Sequence, residues 1–195
     1  DWPSGYYAAR FPTSRGTRNV LFLVREDQPG SQSRLAVVVS THTYQAYNLY
    51  GGKNLYPSAS PARAYRVSFD RPYHDNDGLA RYPVWDKPFV QWMKGENRPF
   101  EVLSDGDLED PSLLGHYDVA VLIGHSEYWT AAARASLEQF LAGGGRLAVL
   151  GGDTMWWQVR LEQRQLVCYK SAAADPESGH NDAVVTVNWY NEPVL

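Results

Sequence analysis

The stretch from Asp118 to Leu150 constrains the fold more than any other part of this 195-residue chain. Asp118-Val-Ala-Val-Leu-Ile123 is an apolar run ending at Gly124, and Arg146-Leu-Ala-Val-Leu150 is a second one ending at Gly151-Gly152. Between them Ala133, Leu137, Phe140 and Leu141 recur at helical spacing. Thr130 is placed to cap the start of that helix, and Gly143-Gly144-Gly145 ends it. Strand, helix, strand with short connections is a parallel crossover unit. The expected class is therefore α/β with a mostly parallel sheet.

Other segments fill in around this unit. Residues 19–25 and 35–40 are short apolar runs separated by a Gln28-Pro29-Gly30-Ser31 turn, which predicts a pair of strands. The second run has almost no polar alternation, as expected for a strand covered on both faces. A glycine- and tyrosine-rich loop is expected from Thr41 to about Pro61, an edge strand over 64–69, and a surface loop from His74 to Tyr82. Phe89, Val90, Trp92 and Met93 mark a helix face, and Phe100–Leu103 a short strand.

Length and charge exclude several functions. The chain is long enough for one α/β domain over 1–195, and its abrupt ends suggest a fragment or processed piece of a longer protein. A net charge of -4 offers no field for nucleic acid or an anionic membrane. No apolar run approaches the roughly 20 residues that span a bilayer. One cysteine, Cys168, forbids an internal disulfide and fits a reducing, cytoplasmic setting, while leaving export of a longer precursor open. Its apolar context, Leu166-Val-Cys-Tyr169, suggests an inert core thiol.

In an open parallel sheet, ligands bind beyond the carboxyl ends of the strands. Three loops qualify: the one after Ser40, Gly124 to Trp129, and Gly151 to Trp157. His125 and Glu127 are two apart and project to one side if strand geometry persists past Gly124. An imidazole and a carboxylate there can bind a metal or share a proton. The plainer alternative is an ion pair at the start of the Thr130 helix. Asp153 has its own plain alternative, as the N-cap of a helix after a tight turn. Ser126 follows a strand and precedes a helix, but Tyr128 occupies the second glycine position of Gly-x-Ser-x-Gly. There is no GxxxxGK[ST], HExxH or paired CxxC.

Ser4-Gly-Tyr-Tyr7, Thr43-Tyr-Gln-Ala-Tyr-Asn-Leu-Tyr-Gly-Gly52 with Leu55-Tyr56, Gly124-His-Ser-Glu-Tyr-Trp129 and Gly152-Asp-Thr-Met-Trp-Trp-Gln-Val-Arg160 occur in this order over roughly the first 160 residues. Together they resemble the large (beta) subunit of N,N-dimethylformamidase and its relatives. The resemblance implies a flavodoxin-like α/β sandwich similar to class I glutamine amidotransferases. It also implies a mononuclear iron, as Fe(III), held by two tyrosines and a glutamate, which fall on Tyr7, Tyr47 and Glu127. Tyr6 competes with Tyr7 for the first place. His125 matches a polar active-site histidine. Where the family carries asparagine this chain has Asp153, whose charge would repel a developing oxyanion, so it is protonated, or differently employed, or the activity is shifted or lost.

Phenolate and carboxylate are hard oxygen donors suited to Fe(III). The implied function is hydrolysis of a small amide, the ion polarising the carbonyl and activating water, with His125 or Asp153 handling the proton. A small-subunit partner and a homo-oligomer are implied as well. Two rivals stand beside this reading. One is a non-catalytic ligand- or carbohydrate-binding module of the same fold, using the aromatic residues. The other is a hydrolase with Ser126 as nucleophile.

Overall fold

A computed structural model describes residues 2–14, 16–57 and 62–190. Its centre is a four-stranded, wholly parallel sheet in the order β5-β3-β6-β8, built from β3 (Leu35–Val39), β5 (Glu101–Ser104), β6 (Val119–Ile123) and β8 (Arg146–Leu150). The crossover unit forms as expected. Helix α3 (Ala131–Ala142) lies between β6 and β8 in the chain, and Thr130 Oγ1 accepts the Ala133 N–H at its start. Such a cap is worth about 1 kcal/mol.

The inner strands β3 and β6 are apolar because both of their faces are covered, while the edge strand β8 leaves Val149 and Leu150 exposed. Ala36, Val38, Leu103, Ala120 and Leu122 pack with Ala133, Leu137 and Phe140 of α3 and with Trp129. The alternate residues Val37, Val39, Val102, Val121 and Ile123 pack with Tyr6, Leu21, Leu23, Tyr44, Trp85 and Phe89. Those come from an antiparallel hairpin, β1 (Gly5–Thr13) with β2 (Gly16–Val24), from helix α1 (Thr41–Tyr47), and from helix α2 (Asp86–Gly95) with the residue before it.

A second, mixed sheet has the order β4-β10-β9-β7, from β4 (Arg66–Ser68), β7 (Tyr128–Thr130), β9 (Trp157–Glu162) and β10 (Gln165–Val167). Its core gathers Ala46, Leu55, Val67, Tyr128, Val159, Leu166 and Cys168. Cys168 is fully buried, and burial pushes its thiol up to about 12, in keeping with an inert core residue. Because β6 ends at Ile123 and β7 begins at Tyr128, residues 124–127 are the hinge piece between the two sheets.

Four expectations need correction. The run at 19–25 does not pair with 35–40: β2 pairs with β1, while β3 lies between β5 and β6. The stretch after Ser40 opens as a helix rather than a loop, with His42, Thr43, Tyr44, Gln45 and Ala46 buried; residues 58–61 of that expected loop lie outside the described ones. Residues 74–82 are not wholly on the surface, since Gly78 and Ala80 are buried. Asp153 caps no helix, because the loop after β8 leads into strand β9.

Candidate active site

The loops after β6 and β8 are pressed together by two glycines. Gly124 has φ +67, and a Cβ there would fall 2.8 Å from Trp85 side-chain atoms. A Cβ on Gly151 would fall 1.7 Å from the Gly124 carbonyl oxygen. This contact lays 151–157 along 124–127. Met155 N–H donates to Ser126 O, and the Trp156 and Trp157 N–H groups both donate to Glu127 O.

Glu127 is the centre of what results. It is only 5% exposed. Its N–H donates to Thr43 Oγ1 at 2.9 Å, so α1 fixes its backbone. Its carboxylate accepts three neutral donors: Tyr47 OH at 2.9 Å, Tyr56 OH at 2.6 Å and Trp157 Nε1 at 3.0 Å. The Tyr47 and Tyr56 rings stack at 4.9 Å, with their hydroxyls 3.4 Å apart. Burial pushes the Tyr47 phenol up to about 12 and the Tyr56 phenol higher, so both stay neutral donors at neutral pH.

His125 lies flat on Trp85, with ring centroids 5.1 Å apart and planes 12° apart. Its Nδ1 is 3.2 Å from Asp153 Oδ2. Trp85 also meets the Tyr47 ring edge-on, and the Arg81 guanidinium lies over both rings. On the other side of Glu127, the Lys170 ammonium sits 3.9 Å from the Tyr56 ring centroid, 4.7 Å from Trp157 and 5.2 Å from Tyr128. Burial pulls that ammonium down to about 8.

Of the expected ligand residues, Tyr47 and Glu127 are brought into direct contact. Tyr7 is not brought to them. Successive strand residues face opposite ways, and Tyr7 packs its ring on Trp2 and Phe22 while its hydroxyl donates to Pro3 O. Tyr6 faces inward, but its hydroxyl donates to Asp86 Oδ1 at 2.8 Å, and Tyr44 OH donates to the other carboxylate oxygen. His125 and Asp153 adjoin each other beside Glu127.

Sequence reasoning gave no role to Tyr56, Trp157, Lys170 or Trp85. Tyr56 and Trp157 both lie in segments that carry the resemblance, which is the signal that pointed to them. Ser126 is 1% exposed, and its hydroxyl accepts from the Trp129 indole at 3.0 Å, so it lacks access and is hydrogen-bonded to no histidine or carboxylate among the described residues. The aromatic groups at Glu127 turn their polar ends onto the carboxylate, which does not favour a sugar-stacking platform. A cavity of about 580 Å³ lies elsewhere, lined by Arg34, Tyr117, Gln139, Gly144 and Arg146 at the opposite strand ends.

The chain is similar to known proteins of one family. Residues 1–194 match the family model described as "N,N-dimethylformamidase beta subunit-like, C-terminal". The chain is similar to the N,N-dimethylformamidase beta subunit of Alcaligenes sp, with 31% identity over 84 residues, 40% of this chain. It is similar also to that of Paracoccus aminophilus, with 30% identity over 82 residues, 39% of this chain. The matched stretch spans 11% of each relative's length.

Proposed function

The chain belongs to the N,N-dimethylformamidase beta subunit-like family, and on that premise we propose that it carries the active site of a hydrolase cleaving the C–N bond of a small amide. One observation carries the reading: a nearly buried glutamate meets three neutral hydrogen-bond donors and, among the described residues, no ion-pair partner, with an imidazole and a second carboxylate beside it. Such a concentration of negative charge suits a cation as its partner.

The donor set fits the iron expected from the resemblance. A carboxylate and two phenol oxygens lie 2.6–3.4 Å from one another, all hard donors. Tyr47 and Glu127 would hold the ion, with Tyr56 in the place of the second phenol instead of Tyr7. When bound, it would supply Lewis acidity to the amide carbonyl and to water.

The chain's own residues do the rest. Trp157 and Thr43 fix Glu127 from side chain and backbone. Trp85 holds the His125 ring in one plane, and His125 delivers the proton that the departing amine needs. The buried face of the site is apolar and aromatic, which excludes bulk water and favours small, weakly polar amides.

We also read the parallel sheet as the core of a flavodoxin-like, class I glutamine amidotransferase-like sandwich, forming one domain of a longer large subunit. That subunit would act in the cytoplasm with a small-subunit partner and as a homo-oligomer. The subunit names of the relatives support the partnership. Among the described residues, no helix is long and apolar enough to cross a membrane.

The test uses the full-length protein with its partner subunits. Dimethylamine release from N,N-dimethylformamide should be measured alongside bound iron. Glu127→Gln should lower kcat/KM by at least about 100-fold, as expected for loss of an essential group. Undiminished turnover in that variant would overturn the reading.

A further inference from the structure

We propose that the outer face of the β1–β2 hairpin docks the non-identical subunit of the enzyme, through an apolar surface of that subunit edged with carboxylates. The existence of such a partner rests on the functional reading above. The hairpin adds the place and the chemistry of the contact.

The hairpin has two nine-residue strands, each about 30 Å long at about 3.3 Å per residue. Its register sets Tyr7 opposite Phe22, Ala9 opposite Val20 and Phe11 opposite Arg18. These pairs share one face, because alternate residues of a strand point the same way. The opposite face carries Tyr6, Leu21 and Leu23, which pack on the parallel sheet. Trp2 adds its ring to the outer face, 4.9 Å from Tyr7 and 5.7 Å from Phe22. Tyr7, which the candidate active site leaves out, belongs to this surface instead.

The result is an apolar stripe turned to solvent. Trp2 is 61% exposed, Phe11 52% and Val20 47%. Single exposed apolar residues are ordinary, but a contiguous row marks a binding surface. The far half of the hairpin has no cover of its own, since every described residue from Arg10 to Arg18 is exposed. A two-stranded hairpin without such cover is marginal in water.

Charge selects the occupant. Residues 2–24 contain Arg10, Arg15 and Arg18 but no aspartate, glutamate or lysine, on a chain whose net charge is -4. Arg10 is exposed and makes no ion pair among the described residues. Arg18 pairs with Asp77 at 2.6 Å, yet its side chain remains 60% exposed. Two copies of this face would set arginines against arginines with no acid on either side, which opposes self-pairing. Aromatic residues with arginine, and without lysine or acid, are the makeup of an interface centre. A partner apolar in its middle and acidic at its rim matches both features. The two relatives are named as beta subunits, which implies a second kind of chain in those enzymes.

The test uses the full-length enzyme assembled with its small subunit, diluted in steps and weighed by native mass spectrometry. Phe11→Ser/Val20→Ser should raise the Kd between the two kinds of subunit at least about tenfold, as should Arg10→Glu/Arg18→Glu. Arg10→Lys/Arg18→Lys should stay within about threefold of the parent, and the parent Kd should rise with salt. Val20→Cys gives a readout that needs no weakened contact. A maleimide, located by peptide mass, should label that position only after the subunits separate.

A parent-like Kd in either the serine or the glutamate variant would overturn the proposal. So would labelling of Val20→Cys in the assembled enzyme, or protection that persists in the separated large subunit, because the cover would then lie within that subunit. Loss of pairing between large subunits alone would assign the face to a second copy and refute the partner named here. A parent that carries no second kind of subunit would end the proposal outright. Dimethylamine release is scored separately: failed docking with turnover intact leaves the hydrolase reading standing, and docking without turnover sinks that reading alone.

Discussion

Replacing Asp86 with asparagine should remove a pH dependence that burial builds into this fold. The Asp86 carboxyl is 2% exposed and accepts hydrogen bonds from Tyr6 and Tyr44. Two hydroxyl donors favour the ionised form, by about 1.5–3 kcal/mol each. Removing the charge from water costs several kcal/mol in the other direction. Burial wins, and the carboxyl is pushed up from 3.8 to about 6. At about 1.4 kcal/mol per tenfold change, that difference is worth about 3 kcal/mol. The native state keeps a proton that the unfolded chain has already released, so the contribution is fully present below the unfolded value and lost as pH rises through about 6. Asparagine does not titrate, and its carbonyl and amide can still meet both tyrosine oxygens. Urea unfolding of both proteins, from about pH 3.5 to 8, reads the gap between them. It should move by about 3 kcal/mol in favour of Asp86→Asn with rising pH, mostly between about pH 4 and 6.5. A gap independent of pH, or one moving the other way, would show that the hydroxyl donors outweigh burial and would refute the reasoning.

Three further outcomes follow from packing and charge. Gly151→Ala should destabilise by about 2 kcal/mol or more, because the new methyl meets the Gly124 carbonyl and no flexible side chain can yield; an unchanged melting temperature would contradict the loop contact. Arg160→Ala should cost about 3–5 kcal/mol, since Arg160 Nη1 bonds both oxygens of an Asp175 carboxylate with no exposed side-chain surface. Asp175→Asn added to it should recover part of that loss, and no recovery would disprove the cause. Cys168 should resist thiol reagents in the folded protein and react only on unfolding, because it is fully buried and its thiol is pushed up; fast labelling of native protein would contradict this.

How far the sequence revealed the fold depended on whether each element is determined locally. The β6–α3–β8 unit was legible because apolar runs, a threonine cap and a glycine stop all act within a few residues. Helix α1 was not. It has seven residues, no side-chain cap at Ser40, and buried His42, Thr43 and Gln45 where a pattern reader expects apolar groups. Its polar groups are satisfied from afar, as when Asp105 accepts Thr41 Oγ1 and His42 N. The partner of β2 was misjudged for a related reason. Both β2 and β3 are apolar, but β1, the actual neighbour, carries Tyr6, Ala8 and Arg10 and does not read as an apolar run.

The site divides along the same line. His125, Glu127 and Asp153 were legible because each directly follows a strand of the parallel sheet, where the fold class alone places function. Tyr56, Trp157 and Lys170 come to Glu127 from the second sheet and its connections, whose pairing no local signal announced. The adjacent tyrosines show how small the deciding difference is. Tyr6 and Tyr7 share composition and neighbours, and a motif alone cannot rank them. In a strand one of the two must face the core and the other must not. The hairpin register, Tyr6 opposite Leu23 and Tyr7 opposite Phe22, turns Tyr6 to Asp86 and Tyr7 to Trp2. A one-residue slip of that register would exchange them. Which tyrosine reaches the interior is therefore decided by strand pairing, and Tyr56 reaches Glu127 because Leu55 N–H bonds Ala46 O and Asn54 bonds Tyr47 O, folding the chain back over α1.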